Sequence, residues 1–284
     1  MAIRSQREAS PGGRRFAPVY CAAAAVFASL VRSCLSCCFV RSQLPRGRRR
    51  DTRARAGIEF YTMDMCPYAQ RTWIALEEKQ LDYDRKLVDV RNASQRAWYV
   101  EHINPLGKVP SIRDTSDGTV VYESEIVNEY LEQKYGGDRR PLMPADAASS
   151  AAVRLWNHHL NNKLAPAHFT YLMNKNESAD ITMREALEDA LQYYESHIVG
   201  PYLIGNQFTL ADVSALPFFE RLIFSCRRYK GYEIPHSMGR LRAWLELAMQ
   251  RPSFLVTKRP ENKLEELYNR FLDVDYKFGG LNRN

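Results

Sequence analysis

Cysteine is scarce in most of this 284-residue chain. Four of its six cysteines lie within residues 1–57, and only Cys66 and Cys226 follow. Two cysteines so far apart in sequence provide no disulfide framework of the kind that cross-links small secreted proteins. The scarcity favours a reducing compartment, or a protein that keeps its thiols for chemistry.

A basic surface is also missing after residue 57. The whole chain carries a net charge of +7, but residues 1–57 contain 12 arginines, no lysine and only two acidic residues, so the remainder is mildly acidic. Nucleic-acid binding needs positive charge on the folded surface. We therefore expect no nucleic-acid partner.

No apolar run predicts a permanent membrane anchor. The main candidate, residues 16–31, ends at Arg32 and is shorter than the roughly 20 residues that span a bilayer. Residues 1–57 are rich in Arg, Ala and Ser and nearly free of acids, which is typical of a disordered or cleaved targeting leader. We predict import into an organelle, plastid or mitochondrion, with a secretory or bipartite signal as the alternative. Without such an address the protein would be cytoplasmic.

The pattern of apolar and polar residues after the leader predicts an α/β domain over residues 58–135. Strand patterns at 58–62, 83–88, 111–113 and 119–122 alternate with helix patterns at 67–79, from Ser94 onward, and at 124–135. The resulting order, βαβαββα, is typical of a thioredoxin-like domain.

A linker rich in Gly and Pro is predicted at residues 136–146, after which strand patterns almost vanish. An all-helical domain is expected over 147–276, followed by a short tail at 277–284. Its predicted helices cover residues 147–171, 182–197, 209–229, 238–250 and 261–276. Pro166 and Pro217 fall inside two of these helices and should bend or divide them.

The most informative residue is Cys66, directly before Pro67, between a predicted strand and a predicted helix. Backbone N–H groups at a helix start have no intrahelical partner and favour a thiolate there. We therefore predict that Cys66 is a nucleophile with a lowered pKa; the alternative is a buried structural cysteine. Because Ala69 replaces the second thiol of a Cys-x-x-Cys site, an outside thiol must resolve a disulfide at Cys66.

Two further segments fit a peptide-like ligand near this thiol. A cis peptide bond at Val109-Pro110 would turn the Val109 backbone toward the thiol, whereas a trans proline would be an ordinary turn residue. Glu123-Ser124 begins a predicted helix. In one interpretation Ser124 is an N-cap and Glu123 is a solvated acid. In the other, the helix start and the Ser124 hydroxyl bind a ligand carboxylate, and Glu123 pairs with a ligand ammonium.

Other patterns have structural interpretations. Thr209 and Asp212 have the spacing of a helix capping box, and Cys226 lies on the apolar face of the helix that follows. The cysteines within residues 34–38 lack a second pair of ligands, so no metal is predicted.

Together these segments resemble the cysteine-type glutathione transferases, most of all the omega and lambda classes, over nearly all of residues 58–276. The family's catalytic Cys-Pro-[Phe/Tyr]-Ala-x-Arg motif is matched by residues 66–71, and its Asn-Pro-x-Gly-x-Val-Pro motif, which holds a cis-proline, by residues 104–110. Its Glu-Ser pair for the γ-glutamyl group is matched by Glu123-Ser124, and its late helix cap by residues 209–212.

The resemblance implies the glutathione transferase fold, glutathione as co-substrate, and thiol transfer or reduction, namely deglutathionylation or dehydroascorbate reduction. It implies a hydrophobic co-substrate site between the domains and a contact from Arg96, before Trp98, to the glycine carboxylate of glutathione. A glutathione-dependent dehalogenase or quinone reductase stays open, as does a non-catalytic protein of this fold that binds glutathione or a hydrophobic ligand. The resemblance also allows a homodimer.

Overall fold

The structure, a computed structural model, describes residues 57–136 and 140–274. These residues all belong to one compact unit. The predicted leader before residue 57, residues 137–139 of the predicted linker and the predicted tail lie outside the described residues.

A four-stranded mixed sheet occupies the first part of the described chain. Its strands are β1 (Ile58–Thr62), β2 (Asp84–Leu87), β3 (Ser111–Asp114) and β4 (Val120–Tyr122), in the spatial order β2-β1-β3-β4. β1 is parallel to β2 and antiparallel to β3, which is antiparallel to β4. The helices of this part are α1 (Pro67–Glu78), α2 (Ala93–His102) and α3 (Ser124–Tyr135). The predicted βαβαββα order is confirmed.

Alternation along β1 explains why helices cover both faces of the sheet. Phe60 is buried with Leu76 of α1 and Val127 of α3. Its neighbour Tyr61 packs instead with Tyr99 of α2. Because successive side chains of a strand point to opposite faces, α1 and α3 lie on one face and α2 on the other.

The remaining elements are helical. They are α4 (Ala147–His159), α5 (Ala165–Met173), α6 (Glu177–His197), α7 (Leu210–Lys230), α8 (Gly239–Ala248), α9 (Pro252–Thr257) and α10 (Glu261–Asp273). One turn of π-helix, Leu160–Leu164, joins α4 to α5, and Pro166 stands in the first turn of α5. The predicted helix over 147–171 is therefore divided near Pro166, as expected, whereas α7 continues through Pro217 as one helix.

Several boundaries differ from the sequence prediction. α6 begins at Glu177 rather than 182, because the Asn176 side chain caps it by accepting from the Ser178 N–H. The pattern does not predict α9, which is too short to show a helical period. α10 ends at Asp273, and residues 275–276 lie outside the described part.

α7 is the central helix of the helical domain. Thr209 and Asp212 form both hydrogen bonds of the predicted capping box at its start. The Asp212 carboxylate also accepts from the Leu203 N–H at 3.0 Å and from the Trp244 indole at 2.8 Å. Cys226 is fully buried on this helix, which confirms its assignment to the core.

A partly buried ion pair fixes α9 to α1. Arg251, the N-cap of α9, donates two hydrogen bonds to the Glu78 carboxylate, at 2.8 and 2.7 Å, and the Ser253 hydroxyl donates to the same carboxylate. Burial by itself would raise the pKa of Glu78, but the hydrogen bonds from Arg251 and Ser253 hold it below its ordinary value. The carboxylate therefore ties the late part of the chain to the helix that follows the thiol.

Within residues 57–136 and 140–274, no helix is both long and apolar enough to cross a membrane.

We predict that Glu78→Gln lowers the free energy of unfolding by about 1.5–3 kcal/mol, because the charged hydrogen bonds are lost. A carboxyl group whose pKa falls on folding stabilises the protein above its unfolded-state pKa. The difference from wild type should therefore be full near neutral pH and shrink as the pH falls through the lowered pKa of Glu78. Urea unfolding at several pH values measures both effects.

The matched control is Arg228→Met, which removes an exposed pair with Glu265. It should cost about 0–1 kcal/mol. A Glu78→Gln loss no larger than the control's, at neutral pH, would contradict the stabilising role of the Glu78 pair.

Candidate active site

Cys66 lies where β1 leads into α1 and is the N-cap residue of that helix. Its side chain makes no capping hydrogen bond, but the backbone N–H groups of Ala69 and Tyr68 act to lower its pKa. Its Sγ is 3.8 Å from the carbonyl oxygen of Val109. The predicted thiol and the predicted ligand-binding turn are therefore neighbours.

The predicted lowering of the Cys66 pKa is wrong. Although part of the residue stays exposed, the packing around the sulfur raises the pKa of the Cys66 thiol, because burial disfavours the thiolate. The N–H groups of Ala69 and Tyr68, followed by the guanidinium groups of Arg221 and Arg71, lower the pKa but do not offset the burial. The helix start acts in the predicted direction, but the sequence did not show how closely other side chains would surround the sulfur.

The turn that carries Val109 is fixed by hydrogen bonds to one carbonyl. The Val109-Pro110 peptide bond is cis, so the first of the two alternatives from the sequence is correct. Asn104 Nδ2 donates to the Lys108 carbonyl at 2.7 Å, and the Tyr99 hydroxyl donates to the same oxygen at 2.9 Å. These bonds hold the backbone that faces the thiol.

Glu123 and Ser124 stand at the start of α3. Glu123 is the N-cap, with a φ of 69° that few residues other than glycine adopt, and its exposed side chain makes no capping hydrogen bond. Ser124 is the first helical residue, so the N-cap alternative fails for it. Its buried hydroxyl accepts a hydrogen bond from Arg71 Nη1 at 3.2 Å. A contact of this pair with a γ-glutamyl group stays a prediction.

Arg71 connects the start of α3 to the helical domain. Besides Ser124, its guanidinium donates to Glu125 Oε1 at 3.3 Å. Across the domain boundary it donates to the Ser214 carbonyl at 3.1 Å and to Asn161 Oδ1 at 2.8 Å. One buried cation thus joins α3, α7 and the π-helix.

Arg71 lies within the motif at residues 66–71, but the motif alone predicts no role for it. A usable signal was present, because Arg71 precedes Ile74 and Ala75 at helical spacing and so lies on the apolar face of α1. In the structure its guanidinium lies over the rings of Tyr68 and Phe218, 5.0 and 4.5 Å from their centres. Such contacts stabilise a buried guanidinium.

Arg96 lies on the exposed side of α2. Its guanidinium packs over Gly107, close enough that a Cβ on that glycine would be 3.1 Å from Nη2. Gly107 has a φ of 63°, as the turn before Val109 requires. Arg96 is thus near the turn, and its contact with glutathione stays a prediction.

An apolar cluster includes Met65, the residue directly before Cys66. Met65 packs against five buried residues of α5, α7 and α10: Phe169, Leu172, Phe224, Leu264 and Tyr268. Met65 thus joins the segment before the thiol to the helical domain, and the hydrophobic co-substrate site that the resemblance implied stays a prediction. In the described part of the chain, no group of three or more His, Cys, Asp or Glu residues could hold a metal ion.

We predict that the alkylation rate of Cys66 rises with pH to a midpoint above the ordinary thiol value of about 8.5, because its pKa is raised. Iodoacetamide labelling followed by peptide mass spectrometry separates Cys66 from the other cysteines. Cys226 serves as the internal reference, since burial raises its pKa to about 12. A Cys66 midpoint below the ordinary value would show that the helix start outweighs burial.

Comparison with known proteins places this geometry in a family. The model of the glutathione S-transferase N-terminal domain matches residues 65–134, and that of the C-terminal domain matches residues 145–247. The probable glutathione S-transferase DHAR1, cytosolic, of Oryza sativa subsp. japonica is 30% identical over 208 residues, which cover 72% of this chain and 88% of that protein. Glutathione S-transferase DHAR3, chloroplastic, of Arabidopsis thaliana is 27% identical, with coverage of 68% and 69%.

Solved structures agree. Glutathione transferase Omega 3C from Trametes versicolor superimposes with a TM-score of 0.70 at 28% identity, covering 78% of this chain and 93% of that chain. The match spans both the sheet that carries the thiol and the helices beside it. The chain belongs to the glutathione S-transferase family.

Proposed function

We propose that this protein is a glutathione-dependent thiol transferase and reductase in which Cys66 is the nucleophile. The observation that carries the proposal is the position of the Cys66 sulfur at the start of α1 and 3.8 Å from the Val109 carbonyl oxygen. A thiolate formed there is stabilised by the helix start and is the species that attacks sulfur.

Glutathione would bind along the edge of the first domain. Its cysteine backbone would pair with Val109, as an extended peptide pairs with a strand edge. Its γ-glutamyl carboxylate would meet the N–H groups at the start of α3 and the Ser124 hydroxyl, and its ammonium would meet Glu123. Arg71 supports this arrangement, because its bond to Ser124 orients the hydroxyl.

The reaction needs one protein thiol. The Cys66 thiolate attacks the glutathione sulfur of a mixed disulfide, the old S–S bond breaks, and the substrate leaves as a thiolate that takes up a proton. A second glutathione thiolate then attacks the Cys66 adduct, which forms glutathione disulfide and restores the Cys66 thiolate. An outside thiol is required because the other cysteine of the described part, Cys226, is fully buried in the helical core.

Deglutathionylation and dehydroascorbate reduction both end in this way: the first consumes one glutathione, the second consumes two, and each yields one glutathione disulfide. Relatives named DHAR and omega support this class of reaction over a dehalogenase or a binding protein without activity. A homodimer and an organelle address within residues 1–57 remain predictions.

We expect Glu123→Ala to weaken glutathione binding by about 1–3 kcal/mol, the scale of a lost charged hydrogen bond. Titration calorimetry with Cys66→Ser as the common background measures the affinity without turnover. Glu129→Gln is the matched control, because Glu129 lies on the same helix and pairs with the exposed Arg154. Equal affinity of Glu123→Ala and the control would show that Glu123 does not contact the ligand.

We expect exposure to glutathione disulfide, with reduced glutathione withheld, to attach one glutathione to Cys66. Peptide mass spectrometry should locate it there in wild type and in Cys226→Ala, and find none at this position in Cys66→Ser. Steady-state kinetics should be ping-pong. A disulfide between Cys66 and Cys226 instead of the adduct would overturn the one-thiol scheme.

A further inference from the structure

The chain on both sides of Cys66 is held by a polar network that reaches it from the helical domain. Arg221, on α7, is 2% exposed, and its Nη2 donates to the carbonyl of Met65, directly before Cys66, at 3.3 Å. Its Nη1 donates to Oε1 of Gln70, on α1, at 2.6 Å. The Gln70 N–H in turn donates to the Cys66 carbonyl at 3.1 Å. Arg221 therefore bonds the residue before the thiol and the helical turn after it.

An ion pair with Glu220 orients this guanidinium. Glu220 Oε2 accepts from Arg221 Nη1 at 2.9 Å and from Gln70 Nε2 at 3.2 Å, and Glu220 Oε1 accepts from the Arg259 backbone N–H at 3.0 Å. The carboxylate is thus bonded to Nη1, whereas Nη2 is directed to the segment that carries the thiol. The guanidinium of Arg259 pairs with Asp64 at 3.8 Å. Because burial makes each lost hydrogen bond costly, the network has little freedom to move.

Two cations act on the Cys66 thiolate. Arg221 lowers the pKa of the thiol more than Arg71 does. The titratable phenols nearest to the two groups stay neutral at neutral pH, because burial raises the pKa of Tyr99, beside Cys66, to about 12 and also raises the pKa of Tyr268, beside Arg221. The charges that govern this side of the thiol are therefore those of Arg221 and its partner carboxylate.

We propose that Arg221 is a positioning residue for the thiol chemistry: bonded to Met65 and to Gln70 on either side of Cys66, it keeps a fixed positive charge next to the thiol. The inference rests on the proposed function and adds that the helical domain sets the reactivity of a thiol carried by the first domain. Arg221 contacts no substrate in this scheme and takes part in no bond-making step. It acts because a nearby positive charge favours the thiolate over the thiol.

The test is the pH profile of Cys66 alkylation by iodoacetamide, which needs no glutathione. Arg221→Met should raise the midpoint by about half a pH unit or more, because the positive charge is lost and Glu220 is left unpaired. Arg221→Lys keeps the charge and should restore the midpoint toward wild type. Arg228→Met, which removes an exposed cation of the same helix, should leave the midpoint unchanged. Peptide mass spectrometry quantifies the label on Cys66.

Glu220→Gln separates the charge from a merely structural role. This change removes the negative partner of Arg221, so the Cys66 midpoint should fall below that of wild type. If the network were only structural, Arg221→Met and Glu220→Gln would both loosen it and shift the midpoint in the same direction. Opposite shifts support the proposal. Shifts in the same direction, or no shift in either variant, overturn it.

A double variant covers the case in which a single variant does not fold, since breaking a buried ion pair is strongly destabilising. Urea unfolding identifies the folded variants. Arg221→Met combined with Glu220→Gln leaves no buried charge unpaired, and replacement of a whole buried pair is often tolerated. Because the cation is the member of the pair directed to the thiol segment, the double variant should still raise the Cys66 midpoint. A midpoint equal to that of wild type would overturn the proposal.

The proposed function is checked separately in wild type, by the adduct that glutathione disulfide forms on Cys66. If the adduct forms but the alkylation midpoints do not move as expected, the role of Arg221 is wrong and the proposed function stands. If no adduct forms on Cys66, the proposed function is overturned, and this inference with it.

Discussion

The buried guanidinium of Arg71 is the interaction on which the arrangement of the site depends. A cation removed from water must be surrounded by acceptors, and here they come from both domains: Ser124 and Glu125 on one side, Ser214 and Asn161 on the other. None of these elements can shift without leaving the charge under-bonded. The thiol helix, the start of α3 and the helical domain are therefore held in one geometry by a single group.

The packing around Cys66 has two opposing effects on the thiol. Side chains that enclose Cys66 define what can reach the sulfur, but enclosure disfavours the thiolate. Two guanidinium groups and two backbone N–H groups work in the opposite direction. Burial of Cys66 thus limits access to the sulfur and raises its pKa, whereas Arg221 on α7 and Arg71 on α1 act to lower that pKa.

Much of the fold could be predicted because its signals are local. The strand alternation of β1, the Cys66-Pro67 helix start and the Thr209 capping box each involve residues near one another in sequence. The pKa of the Cys66 thiol could not be predicted, because it depends on burial by side chains that are distant in the sequence. The contacts of Arg71 and Arg221 were missed for the same reason, as each joins residues from separate segments.

The short helical elements could not be predicted from the sequence either. α9 has too few residues to show a period, yet its Arg251 makes the bidentate pair with Glu78. The turn of π-helix at 160–164 gives no period of its own either. Both elements make contacts with residues that are distant in the sequence, and a local pattern does not contain this information.

The π-helix has a consequence for how this chain can vary in length. A π-turn amounts to one residue inserted into a regular helix, and Asn161, an acceptor for Arg71, lies within it. Deleting one residue there would convert the wide turn to regular α-helix and leave α4 and α5 in about the same phase. The effect of such a change in length would be confined to the widened turn, where Asn161 supplies one of the acceptors of Arg71.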